Sequence, residues 1–182
     1  MRYNVAQLLL EATGAQRRYS FEMQHPDLDP QLELAAPLQG EVLLMRTHDG
    51  VLVQARVRTV LRLACVRCLE PMDAAVEAEW SEEFHPSLDV VTGRKLVVDP
   101  DDVDQGTLID EHHILDLTET VRQQLLLQMP THPLCRDDCQ GLCPVCGGNR
   151  NLYACNCQDQ EVDPRWAALA QALDESDEPE SA

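Results

Sequence analysis

The stretch Val51-Leu-Val-Gln-Ala-Arg-Val-Arg-Thr-Val-Leu-Arg-Leu-Ala-Cys65-Val-Arg-Cys68 carries two signals at once. In its first part Val51, Val53, Ala55, Val57, Leu61 and Leu63 alternate with Gln54, Arg56, Arg58 and Arg62. A period of two puts the first set on one side of an extended chain and the second on the other, which predicts a strand over Val51–Ala64 with one buried face. Working outward, Leu38–Thr47 and Ala74–Phe84 read as strands as well, and Asp49-Gly50 is a turn signal between the first two. The three runs predict an antiparallel meander.

The second signal is the pair Cys65/Cys68. It is the first of four close pairs, followed by Cys135/Cys139, Cys143/Cys146 and Cys155/Cys157, which account for all 8 cysteines. Met1–Ala12 does not read as a secretory leader, so a reducing cytosol is expected, where disulfides do not persist, and the pairs point to metal. Soft thiolates on short loops suit tetrahedral zinc, and eight of them make two four-cysteine sites, hence two structural Zn2+ ions. Cys143-Pro-Val-Cys146-Gly-Gly has the form of a zinc knuckle, in which Gly147 or Gly148 lets backbone amides turn toward the sulfurs, and Cys155/Cys157 would close that site. Cys65/Cys68 and Cys135/Cys139 then share the other. Swapped pairings, or His132 in place of one thiolate, remain open. So does an iron-sulfur cluster, which colour would reveal. A thioredoxin-like redox role is disfavoured, because no βαβ pattern surrounds Cys65 and only Arg67 stands ready to depress a thiol pKa.

Elsewhere the chain alternates between ordered and acidic segments. Val5, Leu8 and Leu9 suggest a short helix and Tyr19–Met23 a strand, before Pro26, Pro30 and Pro37. Residues 89–119 are strongly acidic, with no EF-hand spacing. A helix over Asp116–Gln128 follows, with a capping-box-like start at Asp116 and Glu119 and an apolar stripe of Leu117, Val121 and Leu125 that belongs in the core. Asp163-Pro164-Arg165-Trp166 starts a last helix, and residues 174–182 form an acidic tail expected to be disordered. The expectation is an α+β protein: a mainly β domain with a closing helix at 1–130, a cysteine-rich zinc segment with a short helix at 131–173, and the tail.

Acidic residues number 32 against 14 Lys plus Arg, a formal charge of -18. An extended DNA-binding surface would work against that field. Two Trp, three Tyr and two Phe are too few and too scattered for base-stacking platforms. No apolar run approaches the roughly 18 residues a membrane span needs, so a cytoplasmic protein is expected. The local basic concentration is Arg56, Arg58 and Arg62, with Arg67 close in sequence. These four are candidates for contacting RNA phosphates, against the plainer reading of a solvated face whose arginines pair with carboxylates. No nucleophile motif or phosphate loop is present; His112-His113 beside Glu111 is the best acid–base pair, and an exposed loop explains it equally well. All-cysteine sites tend to be closed and structural, so the protein is expected not to be an enzyme.

Several motifs in consistent order resemble one family. They are Cys65-Val-Arg-Cys68-Leu-Glu-Pro, Asp116-Leu, Leu125-Leu-Leu-Gln-Met-Pro130, Cys139-Gln-Gly-Leu-Cys-Pro-Val-Cys146-Gly-Gly-Asn, Cys155-Asn-Cys157 and Asp163-Pro-Arg-Trp166. Over about Leu38 to Leu173 the chain resembles the YceD family, the large ribosomal RNA subunit accumulation proteins of bacteria and plastids. The resemblance implies a role in synthesis, processing or stability of 23S ribosomal RNA, and so in building the large ribosomal subunit. It implies no mechanism. The expected partner is the large-subunit precursor, met either through 23S rRNA on the arginine patch or through a basic ribosomal protein. For the latter, Asp99, Asp101, Asp102 and Asp104 and the C-terminal tail offer complementary charge, and the net charge favours it. A metal-dependent RNA-processing enzyme is the third option, for which the acidic loop supplies ligand types without a convincing geometry.

Overall fold

The computed structural model describes residues 1–24, 26, 28–96, 105–157 and 166. The helix expected from Asp163, the acidic tail and the partner candidates Asp99, Asp101, Asp102 and Asp104 lie outside the described residues. The chain forms two compact units, one of Met1–Cys65 with Glu70–Cys135, the other of Val66–Leu69 with Arg136–Ala182.

The first unit is built on a sheet of β2 (Gln16–Met23), β3 (Leu38–Arg46), β4 (Val51–Ala64), β5 (Pro71–Pro86) and β6 (Leu108–Ile109), in that spatial order. The pairs β2/β3, β3/β4 and β4/β5 are antiparallel, the last two as expected of the meander. The sheet is nonetheless mixed, because β6 runs parallel to β5 at His85 and Pro86. A parallel neighbour needs a connection of about a dozen residues or more, and β6 begins 22 positions after β5 ends (Pro86 to Leu108). A second ribbon pairs β1 (Arg2–Asn4) with β7 (Ile114–Asp116). The helices are α1 (Ala6–Leu10) and α2 (Thr118–Leu127).

The alternation in β4 does what its period dictates. Val51, Val53, Ala55, Val57 and Leu61 are buried, while Gln54, Arg56, Arg58 and Arg62 are exposed. Onto the buried face pack Leu38, Val42 and Leu44 of β3, Val76, Ala78 and Phe84 of β5, Leu8 and Leu9 of α1, and Leu117, Val121 and Leu125 at α2. Each fully buried Leu or Phe contributes about 1.5–3 kcal/mol relative to exposure, so this layer holds the unit together. The stripe of α2 is therefore core. The turn between β3 and β4 closes with the Thr47 N–H on the Gly50 carbonyl at 3.1 Å and the Gly50 N–H on Thr47 Oγ1 at 2.9 Å. Gly50 is needed for space, since a Cβ there would lie 2.1 Å from the Phe84 carbonyl oxygen.

The start of α2 departs from the expected capping box. Leu117 is the N-cap and offers no side-chain bond; the Asp116 carboxylate, one residue earlier, accepts the Thr118 N–H at 2.9 Å and its hydroxyl at 2.6 Å. Glu119 does not reach back, because Arg122 holds it in a paired contact at 2.7 Å. Asp116 thus covers an amide that the helix leaves open.

Candidate metal centre

The eight cysteines fall into two groups. The Sγ atoms of Cys65, Cys68, Cys135 and Cys139 all lie within 4.8 Å of one another, and so do those of Cys143, Cys146, Cys155 and Cys157. A tetrahedral zinc with Zn–S bonds of about 2.3 Å separates its sulfurs by roughly 3.8 Å, so each group fits such an ion with small adjustment. His132 belongs to neither group. Cys65, Cys68, Cys139 and Cys143 are buried, and Cys135, Cys146 and Cys157 are exposed.

The loops that present these thiols follow one plan. In Cys143–Gly148 the Cys143 N–H donates to the Gly148 carbonyl at 2.8 Å, the Gly147 N–H donates to the Cys143 carbonyl at 2.9 Å, and Gly147 has φ +71°. The turn aims the amides of Cys146 and Val145 at the Cys143 sulfur. These hydrogen bonds, chiefly the one from Cys146, bring the Cys143 thiol down to about 6, the direction a metal ligand needs. Cys157 is pushed up to about 12, first by its hydrogen bond with the Cys146 side chain and then by burial. In Cys65–Glu70 the Cys65 N–H donates to the Glu70 carbonyl at 2.9 Å, and Leu69 takes φ +61°.

Sequence reading singled out the sulfurs and missed their supports. Asn151 Nδ2 donates to Cys139 Sγ at 3.4 Å and to Asn149 Oδ1 at 2.8 Å, while Asn151 Oδ1 accepts from the Gln140 N–H at 2.8 Å and Arg136 Nη2 at 2.6 Å. A donor to a thiolate steadies its charge, and the rest of the side chain is fixed by the loop around it. The signal available was Asn149-Arg-Asn151, polar residues between a knuckle and a C-x-C pair. The same unit also exposes Val66, Leu69, Val145, Leu152 and Tyr153.

The RNA-contact candidates are placed differently from one another. Arg56 pairs with Glu77 at 3.1 Å and Glu79 at 3.0 Å, and Arg62 with Asp73 at 3.2 Å, all across the β4/β5 ladder. Arg58 stands on the same face opposite Gln39 and Glu77. Arg67 lies off the sheet, in the 66–69 loop, and donates to the Cys139 carbonyl at 3.0 Å. Two of the described acidic residues between 89 and 119 hold their own loops. Asp89 Oδ1 accepts from the Val91 and Thr92 amides, and its carboxyl is lowered mainly by the Thr92 backbone bond. Asp110 Oδ1 accepts from the amides of His112 and Ile114, both at 2.8 Å, and His113 turns the chain at φ +59°. His112-His113 is therefore part of a tight turn.

A family model described as large ribosomal RNA subunit accumulation protein YceD matches residues 53–172. An uncharacterized protein of Mycobacterium tuberculosis is 34% identical over 155 residues, covering 78% of this chain and 67% of its own length. The chloroplastic large ribosomal RNA subunit accumulation protein YCED homolog 1 of Zea mays is 25% identical over 174 residues, covering 84% of this chain and 54% of its own. Its Arabidopsis thaliana counterpart is 25% identical over 160 residues, covering 73% and 47%. No solved structure matches the chain significantly. No helix among the described residues is long and apolar enough to cross a membrane.

Proposed function

The chain belongs to the YceD family of large ribosomal RNA subunit accumulation proteins, and from that premise we propose that it supports accumulation of 23S ribosomal RNA and assembly of the large subunit as a non-catalytic factor. The observation that carries this reading is the extent of the family match. Residues 53–172 run from β4 through all eight cysteines, so the feature that distinguishes the chain chemically lies inside the shared region. Two zinc ions would each be held by four thiolates, one by Cys65, Cys68, Cys135 and Cys139, the other by Cys143, Cys146, Cys155 and Cys157. Bound zinc supplies a cross-link between short loops that have little apolar core of their own. A full thiolate set leaves no open coordination position for substrate, which supports a structural role. Among the described residues these are the sets of His, Cys, Asp or Glu whose ligand atoms converge.

Contact with the precursor runs through a basic protein partner in preference to RNA. Of the three arginines on the outer face of β4, Arg56 and Arg62 are engaged by Glu77, Glu79 and Asp73, so two of the three charges are already paired. The net charge of -18 attracts a cationic partner and repels a polyanion. The test is depletion of the protein from its host, followed by the ratio of 23S to 16S RNA and pull-down of the tagged chain in rising salt. The expected result is a falling ratio, restored by the wild-type gene, and capture of a basic ribosomal protein that salt releases. An unchanged ratio under full depletion would overturn the proposal; capture of 23S RNA from protein-free extract, lost on replacing Arg56, Arg58 and Arg62, would overturn the choice of partner.

A further inference from the structure

The strand β2 ends the sheet. All eight of its residues pair with β3 on one side, and among the described residues no strand pairs with its other side. The segment from Gln16 to Met23 contains no Pro to blunt that edge. The Arg46 N–H donates to the Ala15 carbonyl at 2.8 Å, which fixes the phase of the ladder. In an antiparallel pair the bonding groups alternate, so the amides of Arg17, Tyr19 and Phe21 turn to β3 and those of Arg18, Ser20 and Glu22 turn outward.

We propose that this edge pairs with the same edge of a second copy of the chain, antiparallel about a two-fold axis through Ser20. Outward-facing residues must then oppose outward-facing residues, which restricts the registers. Centring on Ser20 sets Arg18 against Glu22 twice and Ser20 against Ser20 on one face. It sets Tyr19 against Phe21 twice on the other, an aromatic cross-strand pair. The adjacent permitted registers, centred on Tyr19 or Phe21, put no opposite charges together. The groups this register uses are available. Arg18 enters no ion pair among the described residues, and Glu22 accepts only from the neutral amides of Gln24 at 3.2 Å and Gln39 at 3.1 Å. A symmetric contact of this kind closes on itself and builds a dimer without open-ended growth. Two short strands bury less than a stable interface requires, so the dimer is weak and concentration-dependent. The repulsion between two chains of charge -18 is screened beyond about 8 Å at physiological ionic strength. The strand precedes the span shared with the family, so this inference stands apart from the ribosomal reading.

The test is sedimentation equilibrium of the full chain over a concentration series at physiological salt, with Arg18→Glu, Glu22→Arg, the double exchange and Ser20→Pro. The wild type should show a monomer–dimer equilibrium. Each single charge change sets like charges opposite at two symmetric places and should weaken dimerisation by about tenfold, and the double exchange should restore it. Ser20→Pro removes an outward N–H and should abolish pairing while the far-ultraviolet spectrum stays that of the wild type. A monomer at every concentration, a dimer indifferent to Arg18→Glu, or a double exchange as weak as the singles would overturn the proposal.

Discussion

Leu69 and Gly147 hold the same left-handed position, each one residue beyond the second cysteine of its C-x2-C loop, with φ of +61° and +71°. Each loop is closed by the same bond, from the first cysteine's N–H to the carbonyl two residues after the second. Glycine takes this conformation without steric cost, whereas leucine gives up about 1 kcal/mol. Leu69 is 64% exposed and has little packing to set against it.

Leu69→Gly should therefore be close to neutral, the relief in the folded loop offsetting the added freedom of the unfolded chain. Gly147→Ala should cost about 1 kcal/mol, because nothing lies within 4 Å of the new methyl and only the backbone conformation is charged against it. Asn at 147 should recover part of the loss, since Asn tolerates this region. Urea denaturation midpoints of the metal-loaded protein measure all three; equal costs at the two positions would contradict the equivalence of the loops.

Metal content tests the grouping of the sulfurs. Elemental analysis of protein purified without added metal should give two zincs per chain. Ser in place of Cys65 or Cys139 should each lose the same one, Ser in place of Cys143 or Cys157 the other, and Cys65→Ser with Cys143→Ser both. Chelation should disorder residues 136–157 while the β-sheet signal persists, because the apolar layer of β3, β4 and β5 holds without metal. One metal per chain, or loss of both from a single substitution, would refute two independent sites.

Asp116 predicts a pH dependence. Burial alone would raise its carboxyl, but bonds from the Thr118 hydroxyl, Arg2 and the Thr118 amide together hold it well below the usual carboxylate range. The folded state therefore binds fewer protons than the unfolded one. The resulting stability is fully present above the unfolded carboxylate value of about 4 and is lost as pH falls through the lower folded value. The side chain is 36% exposed, so after allowance for screening the contribution is about 1 kcal/mol. Asp116→Asn should lower stability by that amount at pH 7 and flatten the slope of stability below pH 4. An unchanged slope would show that Asp116 does not set it.

The parts of this architecture that were legible in the sequence are those governed by local period or spacing. Alternation along β4 gave its buried face, and Leu117, Val121 and Leu125 gave the core side of α2. The cysteine spacing gave the two groups of thiols that converge. The rest depends on what the chain meets after folding. Nothing local marks β6 as parallel to β5, Leu69 as a left-handed residue, or Asn151 as a donor to Cys139. Arg56 reads as a basic stripe in sequence because its partners Glu77 and Glu79 arrive on the next strand. Glu119 reads as a capping residue until Arg122, one turn on, is seen to claim it.

The last prediction concerns Gly40 and Phe21, which face each other across β2 and β3. Glycine inside a strand weakens it, yet here the Phe21 ring fills the space a side chain would take. A Cβ on Gly40 would lie 2.3 Å from the tip of that ring. Gly40→Ala must displace the ring toward solvent and should cost about 1–2 kcal/mol, even though Ala suits a strand better than Gly. Phe21→Ala should cost a similar amount by uncovering the glycine. With the ring already gone, adding Gly40→Ala removes no contact and supplies β-propensity, so the double variant should be at least as stable as Phe21→Ala alone. Thermal unfolding of the four proteins gives the cycle, with a coupling of about 1 kcal/mol or more expected. Simple additivity would mean that the ring does not depend on the glycine, and the close approach would then carry no stability.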